Sequence, residues 1–203
     1  TEVYYRPEIF GLFDRLKEEG KIQHLGVSVE KIEEGVKAIQ FDNVTTVQII
    51  YNVFRQRPND YFFAMTHKKN VGIIVRVPLA SGLLSGKMTH ESTFNPNDHR
   101  HGNRNGEWFD KGETFAGVPF EAGLAAVEKL KEIFNGYDSL AQVALKWILL
   151  NQKISVIIPG ASKLQHIQNN MRAGNIIKFS DEQLQATQDI YEYSIKPHIH
   201  DLW

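Results

Sequence analysis

Short apolar stretches alternate with helical stripes along this chain, and that alternation is the feature that most limits its fold. Apolar runs at residues 22–27, 44–51, 71–77 and 155–158 have the length of strands, and a segment with helical periodicity follows each one. A strand, helix, strand order predicts parallel pairing through right-handed crossovers. The near-continuous apolar character of the runs predicts burial on both faces. A first amphipathic helix carries Ile9, Leu12, Phe13 and Leu16 on one side and stops at Gly20. Further helices are expected around Ile32, Val36 and Ile39, over 61–69, from Phe120 through Leu124, Val127 and Leu130 to Phe134, and from Leu140 to Trp147. Ser139 with Gln142, Ser162 with Gln165 and Ser180 with Gln183 each have the spacing of a capping box. After Leu79 the pattern lapses for roughly forty residues, the length of a functional lid or a disordered stretch.

Two architectures fit this order: an open doubly wound sheet, or part of a (β/α)8 barrel. A whole barrel takes about 250 residues and eight strands, whereas this chain has 203 residues. The barrel reading therefore implies about four strands with their helices, lacking the N-terminal side, in a single domain over residues 1–203. The first residue is Thr1, so the chain is expected to be a fragment.

Composition removes whole classes of function. The formal charge is −1, too small to gather nucleic acid or an anionic membrane surface. No apolar run reaches the roughly 18 residues of a membrane-spanning helix, because Arg76 interrupts the best candidate. With no cysteine there is no disulfide, thiolate nucleophile or Cys-ligated metal, and a cytoplasmic location is the expectation. His99 with His101 and His198 with His200 lack the carboxylate companions of a zinc or iron set, so no metal is expected.

In either architecture, ligands bind beyond the carboxyl ends of the strands. The segment after the third run offers Ala80, Ser81, Gly82, Ser85 and Gly86, small enough for a ligand to reach the backbone, and Lys87 adds a positive charge. Gly160 and Ser162 open a helix whose free N–H groups suit a phosphate. The same glycines also serve as ordinary turns, and SGLLSGK lacks the spacing of a P-loop. Gln48 is either a satisfied core amide or a ligand-facing group. Trp108 and Phe109 are either a pocket wall or a loop anchor, and residues 104–107 read as a solvated turn. No Ser, His and acid set or paired acids give a complete catalytic apparatus.

Taken together, KIQHLGVS, VQIIYN, GIIVRVPLASGLLSGK, ALKWIL and SVIIPGASKLQHIQNN resemble, in order and spacing, the second half of the aldo-keto reductases, NADPH-dependent (β/α)8 enzymes. The resemblance implies that Ser28 and Gln48 hydrogen-bond the nicotinamide carboxamide. It places Arg76 against the nicotinamide ring or a phosphate. Pro78, Leu79, Ala80, Ser81, Gly82 and Lys87 fall in the loop that wraps the pyrophosphate, with Arg100 helping to clamp it. Gly160, Ser162 and His166 match the segment around the adenosine 2′-phosphate, and Asn169 with Asn170 the pair near the adenine. Departures are Val29 for a common Asn, His166 for Arg or Gln, Gly160 for Lys and Asn169 for Glu. A histidine carries less charge than an arginine, so NADH stays open beside NADPH.

The family's catalytic Asp, Tyr, Lys and His belong to its first four strands, and the resemblance begins after them. It thus implies reduction of a small aldehyde or ketone to an alcohol by the whole enzyme, and little activity from this chain alone. A non-catalytic NADPH-binding partner subunit is the alternative function. A half-barrel that pairs with itself, a homo-oligomer, is a third reading, because open strand edges invite association.

Overall fold

A computed structural model describes residues 2–176 and 178–203. Four strands, β1 (Leu25–Ser28), β2 (Val44–Ile50), β3 (Gly72–Arg76) and β4 (Val156–Ile157), form one parallel sheet in the order β1-β2-β3-β4. The order never reverses. Right-handed crossovers that always step the same way place their helices on one face of the sheet. A doubly wound sheet needs a reversal, and this order has none.

The helices obey that rule. α1 (Pro7–Glu18), α2 (Ile32–Ala38), α3 (Phe62–Lys68) and α6 (Leu140–Leu149) contribute Phe10, Ile32, Phe62, Phe63 and Ile148 to a buried cluster with Val47, Ile49, Ile73 and Val75 of the sheet. A second cluster gathers α5 (Phe120–Ile133), α8 (Asp181–Ile190) and the tail around Leu83, Leu84, Phe115 and Trp203. Burial on both strand faces is corrected here. Register puts Ser28, Gln48, Ile74 and Val156 side by side on the face away from the first cluster, and all four stay partly or fully exposed. No helix of the described residues is long and apolar enough to cross a membrane.

Element ends differ from expectation where local hydrogen bonds compete. The first strand starts at Leu25 rather than residue 22, because the amides of Lys21 and Ile22 both turn back to the Leu16 carbonyl at the end of α1. At the sheet edge, β4 shrinks to two residues. The Ser180/Gln183 box forms, with Gln183 N–H donating to Ser180 Oγ at 3.2 Å and Ser180 N–H to Gln183 Oε1 at 3.1 Å. The other two boxes do not: Ser139 occupies the cap position without a side-chain bond, and Lys163 precedes α7 (Leu164–Arg172) in place of Ser162.

The lapse after Leu79 is ordered without long regular elements. It holds 3₁₀ turns at Ala80–Ser85, Lys111–Glu113 and Phe115–Gly117 and one short helix, α4 (His99–Gly102). Asn103, fully buried, supports the turn beyond α4: its Oδ1 accepts from the amides of Trp108 (2.8 Å) and Phe109 (2.9 Å), and its Nδ2 donates to Thr114 Oγ1. Residues 104–107 are exposed, as a solvated turn requires, although Arg104 also makes contacts. Its guanidinium lies 4.6 Å over Phe120, and its Nε donates to the Arg100 carbonyl.

Gly35 shows how tightly α2 meets α3. A Cβ there would come within 2.6 Å of the fully buried Phe62 ring. Ala improves helix propensity by about 1 kcal/mol, but overpacking a rigid core costs about 1–3 kcal/mol. Gly35→Ala is expected to lower stability by about 1 kcal/mol in urea denaturation; a gain in stability contradicts this packing.

Candidate functional site

The connection leaving β3 is the most strained stretch of backbone near the sheet. Val77 (φ 50°), Ala80 (48°), Ser81 (54°) and Gly82 (95°) are left-handed, as are Phe115 (53°), Ala116 (58°) and Gly117 (82°) in the loop that folds against it. Left-handed non-glycine residues persist only where their surroundings fix them. Ser81 supplies part of that fixing, since its Oγ accepts from the Phe115 amide and donates to the Glu113 carbonyl, both at 3.1 Å. Ala80 and Leu83 are fully buried beneath, and Asn52 Nδ2 donates to the Val77 carbonyl at 2.9 Å.

These loops border an open cavity of about 960 Å³. Pro78, Leu79, Ser81, Gly82 and Lys87 form one wall. Arg100 and His99 stand on α4, with His99 Nδ1 2.9 Å from Thr114 Oγ1. Gly160, His166, Asn169 and Asn170 come from the turn before α7 and from α7 itself. Ser139 and Gln142, at the start of α6, also border it. Ten residues expected from the sequence thus share one cavity: Pro78, Leu79, Ser81, Gly82, Lys87, Arg100, Gly160, His166, Asn169 and Asn170.

Five expected residues stand outside the walls. Ala80 is in the core. Ser28 and Gln48 lie together on the partly open sheet face, where Ser28 Oγ donates to Gln48 Oε1 at 3.1 Å and the Gln48 amide nitrogen has no hydrogen-bond partner among the described residues. Gln48 is therefore not a buried core amide. Ser162 sits behind His166, with its amide 3.3 Å from His166 Nδ1. An N–H donor at Nδ1 makes that nitrogen the acceptor and puts any neutral-ring proton on Nε2.

Arg76 is bound by the protein's own acceptors. Only 11% exposed, its guanidinium donates through Nη2 to Glu30 Oε1 (2.8 Å) and the Val29 carbonyl (3.1 Å), and through Nη1 to Glu113 Oε1. A buried cation is stable only when paired, and these in-plane bonds hold Arg76 at the end of β3, outside the cavity walls. The two carboxylates, not Arg76, reach the cavity.

Glu30 and Glu113 are the main functional candidates that sequence reasoning missed; they lie 83 positions apart, and only the fold brings them together. Burial, followed by a hydrogen bond with Glu113, pushes the Glu30 carboxyl up to about 7. Burial also acts on Glu113, but hydrogen bonds from Glu30 and Arg76 outweigh it and hold that carboxyl below the usual range. Glu30 therefore holds its proton to higher pH than Glu113 does.

The remaining walls are fixed by the tail. Trp203 donates from Nε1 to Asp110 Oδ1 at 2.8 Å and stacks 4.4 Å from the guanidinium of Arg55, which in turn donates to the Glu30 carbonyl at 2.7 Å. Phe109 and Asp110 line the cavity, whereas Trp108 packs on Gly102, so of this aromatic pair one is a wall and the other an anchor.

The sign of the Glu30 effect follows from proton counting. Between about 4.5 and 7 the folded chain holds a proton that the unfolded chain has lost, so Glu30 makes stability fall as pH rises through that window. Glu113, with its lowered pKa, acts below that window, and its contribution is lost as the solution is acidified. Glu30→Gln imitates the protonated state. It is expected to be more stable than the parent at pH 8, by about 1–2 kcal/mol after allowing for solvent screening, and to lose that advantage by pH 5. Denaturation at both pH values checks this; an equal difference at each contradicts it.

With this geometry in place, comparison with known proteins is informative. Residues 2–192 match the Aldo/keto reductase family. The chain is 28% identical over 191 residues to an aldo-keto reductase of Strobilurus tenacellus, str7, covering 92% of this chain and 54% of that protein. It is 28% identical over 172 residues to the L-glyceraldehyde 3-phosphate reductase of Escherichia coli O157:H7, covering 81% and 48%. Its fold resembles the glycerol dehydrogenase AKR11B4 from Gluconobacter oxydans, with a TM-score of 0.68 and 25% identity, covering 93% of this chain and 54% of that one. The chain therefore spans about half the length of the relatives it matches. It belongs to the aldo/keto reductase family, whose members of this kind are oxidoreductases.

Proposed function

We propose that this chain is the C-terminal, cofactor-holding part of a (β/α)8 oxidoreductase that reduces the carbonyl of a small aldehyde or ketone with NADPH or NADH. The observation that carries the reading is the convergence on one cavity of segments far apart in sequence: the left-handed turn after β3, α4 and the start of α7. Their chemistry fits a stretched dinucleotide. Lys87 and Arg100 suit phosphate oxygens. Gly82, at φ 95°, keeps the turn free of a side chain, and Gly160 has open space where a Cβ would stand. The free Gln48 amide, oriented by Ser28, suits a carboxamide oxygen.

In this reading the bound nicotinamide supplies a hydride. The chain's own residues bind and orient. Leu79 and Pro78 exclude water from one side, Lys87 and Arg100 neutralise phosphate charge, and His166 faces the end where a 2′-phosphate or a 2′-hydroxyl distinguishes the two cofactors. The acid that protonates the developing alkoxide belongs, by resemblance, to strands outside the matched segments. General acid help is worth about 10²- to 10⁴-fold, so the chain alone is a poor reductase in this account.

Trp108 and Trp203 report on the loops around the cavity. Titration of the purified chain with NADPH is expected to give a saturable change in tryptophan fluorescence, with NADH as the comparison for cofactor choice. No saturable response to either nucleotide overturns the proposal.

A further inference from the structure

Arg100 reaches the cavity with one edge of its guanidinium already occupied. Nε donates to Asp98 Oδ1 at 2.9 Å and Nη2 to Asp98 Oδ2 at 2.6 Å, a two-point grip, while the Asp98 Oδ1 also accepts from the Arg100 amide at 2.9 Å. The guanidinium plane rests 4.7 Å from the Phe94 ring, which closes one of its faces. Besides the second N–H of Nη2, what remains is Nη1. It makes no hydrogen bond among the described residues, and it stands 3.8 Å from the position that a Cβ on Gly82 would take. The open edge of Arg100 is therefore aimed at the left-handed Ser81–Gly82 turn.

We propose that Asp98 is a positioning residue that presents the Nη1 edge of Arg100 to a diphosphate lying against the Ser81–Gly82 turn. This rests on the dinucleotide reading above and adds to it an acidic residue placed on purpose beside an anion site. Asp98 itself only borders the site: no wall of the cavity is formed by it, and its carboxylate is spent on Arg100. Arg100 holds the Asp98 carboxyl down to about 2, so the aspartate is charged at any pH at which the protein is handled.

Two physical effects of Asp98 oppose each other, and their difference in sign makes the inference testable. By charge alone, a carboxylate near an anion site repels the ligand, so its removal strengthens binding. By orientation, the grip spares the ligand the cost of freezing a long side chain. That cost of about 0.5–1.5 kcal/mol per immobilised side chain corresponds to about a three- to tenfold change in affinity. The carboxylate and the guanidinium are already joined and largely neutralise one another at a distance, so orientation outweighs repulsion.

The test is the dissociation constant of NADPH, and separately of inorganic pyrophosphate, for the whole chain and the variants D98N, R100A and D98N/R100A. D98N keeps an oxygen for the Arg100 amide, and so preserves the cap of α4, and thermal melts check that each variant is folded. Both ligands are expected to bind D98N about three- to tenfold more weakly than the parent, and the double variant no more weakly than R100A. D98E, which restores the carboxylate, is expected to recover part of the loss. Unchanged or tighter NADPH binding by D98N, or additive losses in the double variant, overturns the role of Asp98 and leaves the dinucleotide reading standing. Pyrophosphate binding that D98N weakens, with no NADPH binding by the parent, supports the role of Asp98 and overturns the dinucleotide reading. Binding of neither ligand by the parent overturns both.

Discussion

The buried guanidinium of Arg76 is the tie on which the site depends. It sits at the last position of β3, binds the carbonyl and carboxylate that follow β1, and binds Glu113 in the long connection. The end of β3, the turn after β1 and the long connection are thereby held together at one end of the sheet. Because an unpaired buried charge costs several kcal/mol, the acceptors cannot drift from it without penalty. Burial, which raises the Glu30 carboxyl, lessens the repulsion between two carboxyl groups that approach one cation.

From this tie the remaining geometry follows in order. Glu113 held by Arg76 brings its own carbonyl to Ser81, and Ser81 locks the left-handed turn that forms a wall of the cavity. On the far side of the same loop, Asp110 takes the indole N–H of Trp203, whose ring covers Arg55. The tail is pinned a second time where His200 bridges Tyr191 and Asp60, at 2.6 and 2.9 Å. A loop almost without regular secondary structure is kept in place by polar side chains buried at its two ends, a common arrangement for functional connections.

Much of this was legible in the sequence, for identifiable reasons. Strand and helix existence followed from periodicity, and the Ser180/Gln183 cap from its spacing. The cavity-facing glycine and lysine after β3 were visible because small residues after a strand have few other uses. Element ends were not legible at Lys21 and Ile22, where the end of α1 competed for their amides. Ser139 and Ser162 show that capping spacing does not oblige the side chain to cap. The bond from Arg76 to Glu113 was not legible, because its position in sequence carries no information about a partner 37 residues away. The roles of Glu30, Asp98 and Glu113 depend on contacts rather than on motifs, so sequence alone had no signal for them beyond the presence of Glu30 directly after a strand.

The central claim is that one trough collects the turn after β3 and the start of α7. Amide chemical shifts followed by NMR as NADPH is added test it most directly. The account predicts that shifts concentrate on Leu79, Ser81, Gly82, Gly160, His166 and Asn170 and saturate together with one dissociation constant. Shifts confined to one of these segments, or centred on the opposite end of the sheet near Leu25 and Val44, contradict it.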